Sequence, residues 1–480
     1  MWQLWTPIFG KTLGFAERSL VSELRETRNR WAHENGFDYD ATYRALDSTR
    51  LLLKAISAEQ AEEVNDLREE VMRQRYDDQT RKQAKRPSGP LYNGSTGLRP
   101  WREIIVPQQD VASGKYEMAE FAADLGQVHR GKGADEYRLP RDFFQRTYLT
   151  SGLGRLLSDA LLRLNGDGGS PVVDLQTNFG GGKTHSLLAL YHLFSGTPYA
   201  ELGKAVEALV LNTGIEPPAN VRRAVLVGVD LAPATPRLKS DGMATRTLWG
   251  ELAHQLLGAE GYALVANDDL HGTNPGKDTL AELFTRAAPC LVLIDEWVAF
   301  ARQLYTNSNL QAGSFDANMS FAQSLTQAAM VAPRTQLVVT IPASDGDRSD
   351  ERTSELGGEG GQVAASTLRQ IVGRVETPWR PADANEGFEI VRRRIFQEIA
   401  GSDLYTARDA VARSFAKFYQ EHRAEFPPAA SQNDYEERIK RAYPIHPELF
   451  DRLYNDWSTL ERFQRTRGVL RLVARIVQTL

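Results

Sequence analysis

Four continuous apolar runs alternate with helical patterns in the middle of the chain. The runs are residues 171–176, 223–231, 290–297 and 336–344. Apolar residues recur at helical spacing in three segments between them, residues 185–194, 245–257 and 318–331. Continuous apolar runs are typical of parallel strands that are buried on both faces. The pattern therefore predicts an α/β fold with a parallel sheet built from β–α–β units.

Helical patterns dominate on both sides of this core, and they divide the chain further. Residues 1–84 predict a helical N-terminal segment, and Pro, Gly, Ser and Asn then gather in a linker at 85–101. Residues 102–165 predict a helical N-terminal part of the core module, 166–384 the α/β core itself, and 385–480 a helical lid. Because both ends already read as helix, we expect a fragment of a longer protein; a short natural protein with helical ends is the alternative.

The composition is typical of a globular protein and argues against membrane-spanning, secreted and strongly basic proteins. The 480 residues are 41% hydrophobic and 25% charged with a formal net charge of −5, so no overall basic field indicates nucleic-acid binding. One cysteine, Cys290, allows neither an internal disulfide nor a cysteine-based zinc site, which fits a reducing cytoplasm. No apolar run reaches the ~20 residues of a membrane-spanning helix, and the first residues lack the pattern of a signal peptide.

A glycine-rich segment between a predicted strand and a predicted helix indicates a phosphate-binding loop. It reads QTNFGGGKT over residues 176–184, with Thr177 where the usual GxxxxGK[ST] pattern has its first glycine. Glycines let the backbone amides at a helix N-terminus approach phosphate closely. We expect Lys183 to reach the β- and γ-phosphates of ATP and Thr184 to bind Mg²⁺. The candidate nucleotide-binding residues are Asn178, Phe179, Gly180, Gly181, Gly182, Lys183, Thr184 and His185.

Acidic and polar residues follow two of the predicted strands. Asp295 and Glu296 end the run CLVLIDEW, where Asp295 would hold Mg²⁺ and Glu296 would act as the general base that polarises an attacking water. Thr340 and Ser344 lie near the end of the last run and are candidate sensors of the γ-phosphate. This arrangement predicts an ATPase of the additional-strand class. The alternative is a glycine turn with a chance lysine and an ordinary acidic strand end.

Arginines beyond the last predicted strand are candidates for a second role. Arg369 and Arg374 could serve as arginine fingers in the site of a neighbouring subunit. The alternative is that they are ordinary surface arginines.

An arginine, an asparagine and a histidine near the start suggest a separate activity. Arg28, Asn29 and His33 lie on a predicted helix, where residues four or five apart share nearly one face. Arginine binds phosphate and histidine exchanges protons near neutral pH, so the set suits metal-independent attack of an RNA 2′-hydroxyl. The segment resembles the RNxxxH motif of HEPN domains, a helical family with many dimeric ribonucleases. A salt-bridging arginine and a capping histidine are the alternative.

Over its whole length the chain resembles a HEPN domain fused to a large AAA+-like P-loop ATPase from bacterial phage-defence islands, a family that includes PglY-type and BrxC-like proteins. The resembling segments are residues 119–129, 143–153, 176–194, 290–297 and 443–474. The resemblance implies ATP and Mg²⁺ as ligands, oligomers formed through the ATPase or HEPN part, and partners such as a DNA methyltransferase or a helicase. It also implies that Arg465 or Arg467 contacts phosphate as a second sensor, unless they only pack or form salt bridges.

Three functions remain open on the sequence. The first is an ATP-hydrolysing motor or switch subunit of an antiviral system, with DNA and RNA as candidate partners and the substrate, nucleic acid or protein, left open. The second is a HEPN ribonuclease gated by the nucleotide domain, which Arg28 and His33 support. The third is a nucleotide-dependent scaffold that barely hydrolyses ATP, against which Glu296 argues.

Overall fold

The structure is a computed structural model that describes two compact units, Met1–Gly97 and Leu98–Leu480. The described residues are 14–32, 39–58, 60–68, 71, 98–114, 123–175, 182–307, 310–342, 358–373, 377–379, 386–432, 434–453 and 465–479. No helix within these ranges combines the length and the apolarity needed to cross a membrane.

The first unit is built from helices, as its sequence pattern indicates. Helix α1 spans Phe15–Ala32, helix α2 spans Tyr39–Ala55, and residues 60–68 are also helical. Helices α1 and α2 pack against each other, and Arg44 on α2 donates a hydrogen bond to Glu23 on α1.

Five parallel strands form the central sheet of the second unit. The described residues of this unit form seven strands in all: β1 Val172–Leu175, β2 Arg222–Val227, β3 Arg237–Leu238, β4 Ala244–Thr245, β5 Cys290–Asp295, β6 Thr335–Val339 and β7 Thr377–Trp379. The short strands β3 and β4 pair antiparallel as a hairpin, and the other five form the sheet in the order β2-β5-β6-β1-β7. Every side chain of β1, β5 and β6 is buried, which explains why these strands read as continuous apolar runs. The α/β fold with a parallel sheet is thereby confirmed.

Helices cover both faces of this sheet. The helices of the second unit are α3 Trp101–Ile104, α4 Gln109–Ser113, α5 Leu125–His129, α6 Asp135–Arg138, α7 Pro140–Arg146, α8 Ser151–Asn165, α9 Lys183–Leu193, α10 Lys204–Thr213, α11 Leu248–His271, α12 Gly276–Ala287, α13 Trp297–Ala301, α14 Phe315–Val331, α15 Glu359–Val372, α16 Gly387–Ile395, α17 Ser402–Glu421, α18 Tyr435–Ala442, α19 Pro447–Asp451 and α20 Arg465–Thr479. Alternate residues of β5 point to opposite sides. Val292 and Ile294 pack with α11, α12, α14 and α15, whereas Leu291 and Leu293 pack with α8 and α9.

A third core joins two distant parts of the chain. Residues Ile104, Ile105 and Val111 of the α3–α4 segment pack with apolar residues of α16, α19 and α20. Backbone hydrogen bonds reinforce this contact, because Gln108 N donates to Ile395 O at 2.8 Å. The sequence grouped residues 102–165 as one helical part. In the structure α3 and α4 pack instead with the C-terminal helices, whereas α5, α7 and α8 contribute to a core against the sheet.

Three of the strands end earlier than their apolar runs predict. Strand β2 stops at Val227 because residues Gly228–Asp230 turn as a 3₁₀ helix. Strand β5 stops at Asp295 because Glu296 adopts a left-handed backbone conformation with φ 54°. Strand β6 stops at Val339, and the structure does not describe the end of that apolar run from residue 343 onward. These three ends lie at the carboxyl edge of the sheet.

Candidate functional site

The glycine-rich segment joins the carboxyl end of β1 to helix α9. Gly182 precedes the helix with φ 86°, a left-handed conformation that glycine adopts without strain, and Lys183 and Thr184 begin the first turn. Four of the candidate phosphate-binding residues, Asn178, Phe179, Gly180 and Gly181, lie outside the described residues. The described part therefore supplies the helix N-terminus and its lysine and threonine.

Asp295 is the polar centre of the carboxyl edge. It is 4% exposed, and its carboxylate accepts hydrogen bonds from Thr184 Oγ1 at 2.8 Å and from Thr340 Oγ1 at 2.7 Å. Burial raises the pKa of Asp295, while these two hydrogen bonds and the positive charge of Lys183 oppose the rise. One carboxylate thus connects the helix that follows β1 with the residue that follows β6.

Thr340 links Asp295 to the next residue of its own chain. Its hydroxyl has a single hydrogen, which it donates to Asp295, so the same oxygen accepts from Glu296 N at 3.1 Å. Its backbone N–H also donates to Ile294 O at 3.0 Å, continuing the ladder between β5 and β6. Thr340 therefore holds the backbone of Glu296 in its left-handed conformation.

Glu296 projects from this bend and retains an exposed side chain. Partial burial raises the pKa of its carboxyl, and the negative charges of Asp295, Asp124 and Asp230 raise it further, whereas Lys183 lowers it. A raised pKa favours the uptake of a proton, as a general base requires. The bend is tightly enclosed, because a Cβ atom at Gly228 would lie 2.1 Å from the carbonyl oxygen of Glu296.

The donor set suits Mg²⁺ bound together with a phosphate group. Mg²⁺ prefers oxygen ligands and is usually held by one or two carboxylates or hydroxyls plus substrate phosphates, not by an all-protein cage. Thr184 Oγ1 and Asp295 Oδ2 lie 2.8 Å apart and are such oxygens. Within the described ranges no group of three or more His, Cys, Asp or Glu side chains has the arrangement of a metal site.

Comparison with protein-family models identifies the family of this chain. The model of the DUF499 N-terminal domain matches residues 102–377, which is more than half of the chain. The chain belongs to the DUF499 family. The matched residues include four strands of the parallel sheet, the first residue of β7 and every described residue of the carboxyl edge. No curated protein and no solved structure matches the DUF499 chain.

A second family model matches the start of the DUF499 chain. Residues 1–57 match the Swt1-like HEPN domain, so the chain has a HEPN-fused architecture. Arg28 and Asn29 lie near the end of α1, and both are exposed to solvent. His33, the third residue of the predicted ribonuclease motif, lies outside the described residues.

The remaining candidates in the DUF499 chain lie as follows. Arg369, on α15, donates from Nε and Nη2 to Pro342 O at 3.0 and 2.7 Å, so its guanidinium is engaged within its own chain. Ser344 and Arg374 lie outside the described residues. Arg465 and Arg467 belong to α20, and the structure describes their backbone alone. Their sensor and finger roles stay predictions.

His185, a candidate of the phosphate loop, makes its contacts away from the carboxyl edge. Its ring packs on Phe143 with centroids 4.6 Å apart, and Nε2 lies 3.0 Å from Thr147 Oγ1. Burial lowers the pKa of His185 to about 3, so the ring is neutral at physiological pH.

Sequence reasoning missed several side chains near Glu296 and His185. Asp230 follows β2 at the same sheet edge, and a search for polar residues after every strand would have found it. Asp124 and Thr147 gave no such signal, because helices that precede the sheet bring them to the site.

Proposed function

We propose that this DUF499 chain binds ATP with Mg²⁺ at the carboxyl edge of its sheet and hydrolyses it. The observation that carries the proposal is the position of Asp295, which accepts hydrogen bonds from both Thr184 and Thr340. A phosphate-loop threonine, an acidic strand end and a polar residue that directly follows the strand between them thus converge on one point, at the edge where α/β sheets bind their ligands.

The strand order supports a P-loop NTPase of the additional-strand, AAA+-like class. Strand β6 lies between β1, which leads into the glycine loop, and β5, which ends in Asp295. That additional strand is what places Thr340 within hydrogen-bond distance of Asp295.

The proposed roles follow from the contacts. Lys183 and the N-terminus of α9 bind the phosphates, where the free amides and the helix dipole favour negative charge. Thr184 and Asp295 hold Mg²⁺, which when bound would neutralise phosphate charge. Glu296 orients water and takes up its proton, and Thr340 fixes the bend that aims Glu296.

The test of nucleotide binding is Lys183→Ala in the full chain, with affinity for labelled ATP as the measurement. Removing the phosphate cation should weaken binding by at least about a hundredfold, as expected for loss of a charged contact in a preformed site. The matched control is Lys204→Ala, because Lys204 also begins a helix but is exposed and lies on α10. Equal affinities in the two variants would refute the site.

For the biological role we propose a motor or switch subunit of a bacterial antiviral system in the cytoplasm. The HEPN-fused DUF499 architecture supports this role, together with the resemblance to phage-defence ATPases. We propose assembly into an oligomer and partners such as a DNA methyltransferase or a helicase. ATP turnover should be measured with double-stranded DNA, single-stranded DNA and RNA. The nucleic acid that stimulates turnover would be identified as the one on which the protein acts.

A second candidate function is RNA cleavage by the HEPN unit. The Swt1-like HEPN match and the exposed Arg28 and Asn29 favour it. Arg28→Ala and His33→Ala should each abolish cleavage and leave ATP turnover unchanged. Cleavage should persist in EDTA and rise with protein concentration if two motifs meet in a dimer. If the wild-type chain cleaves no RNA under any nucleotide condition, the unit serves dimerisation or docking instead.

A further inference from the structure

His185 occupies a position that the proposed chemistry does not use. It follows Thr184 directly in the first turn of α9, yet its ring contacts Phe143 and Thr147, both of which precede the sheet. Phe143 is 1% exposed and Thr147 is 3% exposed, so the partners of this part-buried contact are themselves buried.

The direction of the hydrogen bonds can be assigned. Thr147 Oγ1 lies 2.7 Å from Phe143 O, and a carbonyl oxygen can only accept. The single hydroxyl hydrogen of Thr147 is therefore donated to Phe143 O. It follows that His185 Nε2 carries a hydrogen and donates it to Thr147 at 3.0 Å.

Thr147, the acceptor of this hydrogen bond, lies in a junction between helices that further hydrogen bonds hold in place. Thr147 directly follows α7 as its C-cap residue, and three residues later Thr150 caps α8 by accepting from Leu153 N at 3.0 Å. The backbone N–H of Ser151 donates to Glu386 at 2.7 Å, which ties the same junction to the residue before α16. His185 thus holds the first turn of α9 against a fixed point.

We infer that His185 is a positioning residue for nucleotide binding, which acts through its hydrogen bond to Thr147 and not by contact with phosphate. The inference rests on the proposed function and deepens it. Lys183 and Thr184 lie on the turn that His185 holds, so a loosened turn would misplace the ammonium and the hydroxyl relative to the phosphates. Sequence reasoning placed His185 among the direct ligands, and the geometry points to this different role.

The experiment measures the affinity of the full chain for labelled ATP, and kcat and KM, in four single variants. His185→Leu and Thr147→Val remove the donor and the acceptor, and each should weaken affinity and raise KM about tenfold, the effect of one buried hydrogen bond. kcat at saturating ATP should change much less. His185→Gln and Thr147→Ser keep an N–H and a hydroxyl, and they should restore affinity to within about threefold of wild type.

The double variant His185→Leu with Thr147→Val tests whether the two residues act through the same hydrogen bond. Because both changes break the same bond, the double variant should lose about tenfold and not about a hundredfold. Losses that multiply, or Thr147→Val with wild-type affinity, would overturn the inference and make His185 a direct ligand or a bystander. If His185→Leu fails to fold by thermal melting, the pair Thr147→Val and Thr147→Ser decides alone.

Failure of the inference and failure of the proposed function are distinguishable. A wild-type chain that does not bind ATP refutes the proposed function. A wild-type chain that binds ATP, loses it in Lys183→Ala and keeps it in Thr147→Val refutes only the role of His185.

Discussion

Two threonine–aspartate pairs in the second unit are built alike but surrounded differently. Thr247 Oγ1 donates to Asp269 at 2.6 Å, and Thr340 Oγ1 donates to Asp295 at 2.7 Å. In each pair the threonine oxygen also accepts a backbone N–H, and in each pair the aspartate is buried. The difference lies in what else the aspartate binds.

Asp269 accepts hydrogen bonds from two backbone amides of fixed position as well as from hydroxyls. The backbone N–H groups of Arg246 and Thr247 donate to it at 3.0 and 2.9 Å, and Tyr262 OH donates at 2.9 Å. Thr247 in turn caps α11 by accepting from Gly250 N. Since backbone amides cannot turn away without breaking the chain's local fold, this pair serves to fix the start of a helix.

Asp295 has fewer backbone donors, and most of its hydrogen bonds come from hydroxyls that can reorient. Two of its hydrogen bonds come from the hydroxyls of Thr184 and Thr340, which can rotate to meet another oxygen or a cation. The third comes from the backbone of Glu296, at a bend with φ 54°. The same residue types therefore make a rigid cap in one place and an exchangeable site in the other.

The glutamates beside the two pairs extend the contrast. Glu251, on the first turn of α11, is 3% exposed, and Lys239 Nζ lies 2.5 Å from its carboxylate. Burial alone would raise the pKa of Glu251, but hydrogen bonds from Lys239 and Gln255 and nearby positive charges lower it overall. Glu296 is exposed, faces other carboxylates and has a raised pKa. The carboxylate of Glu251 is held ionised by positive neighbours, whereas the surroundings of Glu296 favour its protonated form.

The largest effect that this contrast predicts is on turnover in Glu296→Gln. The change keeps the shape of the side chain and removes the base, so kcat for ATP should fall by ~10²-fold or more while ATP binding persists. The melting temperature should not fall, because the change removes a charge from beside Asp295, Asp124 and Asp230. Wild-type turnover in this variant would show that another group is the base and would favour the scaffold function.

The control for this measurement is Glu282→Gln. Glu282 forms an exposed ion pair with Arg286 on α12, away from the carboxyl edge. Turnover in this variant should match the wild type, since neither side chain contacts a residue of the site.

Much of the candidate site around Asp295 could be predicted from the sequence, for a physical reason. Parallel strands buried on both faces must be apolar throughout, so β1, β5 and β6 were visible as runs. The carboxyl ends of such strands meet at one edge, so polar residues just after a run come together there. That logic places Asp295 and Thr340 beside each other before any coordinate is known.

The hydrogen bonds around Asp269 and the contact of His185 with Thr147 could not be predicted in this way. His185 meets Thr147 across 38 residues, and Asp269 meets Thr247 across 22, with nothing in the local pattern to name the partner. For the same reason no local pattern indicated that α3 and α4 pack against α16, α19 and α20, which lie far away along the chain. Periodicity shows that a face is covered and leaves open which element covers it.

A smaller effect is predicted for Glu251→Gln, this time on stability. The change leaves the ammonium of Lys239, which is 16% exposed, without its carboxylate, so the free energy of unfolding should fall by about 2 kcal/mol at pH 7. ATP affinity should stay near the wild-type value, because Glu251 holds the β3–β4 hairpin and not the phosphate loop. Urea unfolding measures the loss, and Glu282→Gln, with its exposed ion pair, should lose less than about 0.5 kcal/mol.

The pH dependence of this loss gives the sharper test. Because the pKa of Glu251 is lower in the folded chain than its ordinary value of 4.5, its carboxylate stabilises the fold fully above that value. The stabilisation is lost as the pH falls through the folded pKa, so the gap in stability between wild type and Glu251→Gln should narrow as the pH is lowered below 4.5. Glu296 has the opposite sign, since its raised pKa makes ionisation cost stability as the pH rises. A gap between wild type and Glu251→Gln that does not narrow at any pH below 4.5 at which the chain stays folded would mean that the ion pair with Lys239 does not stabilise the fold.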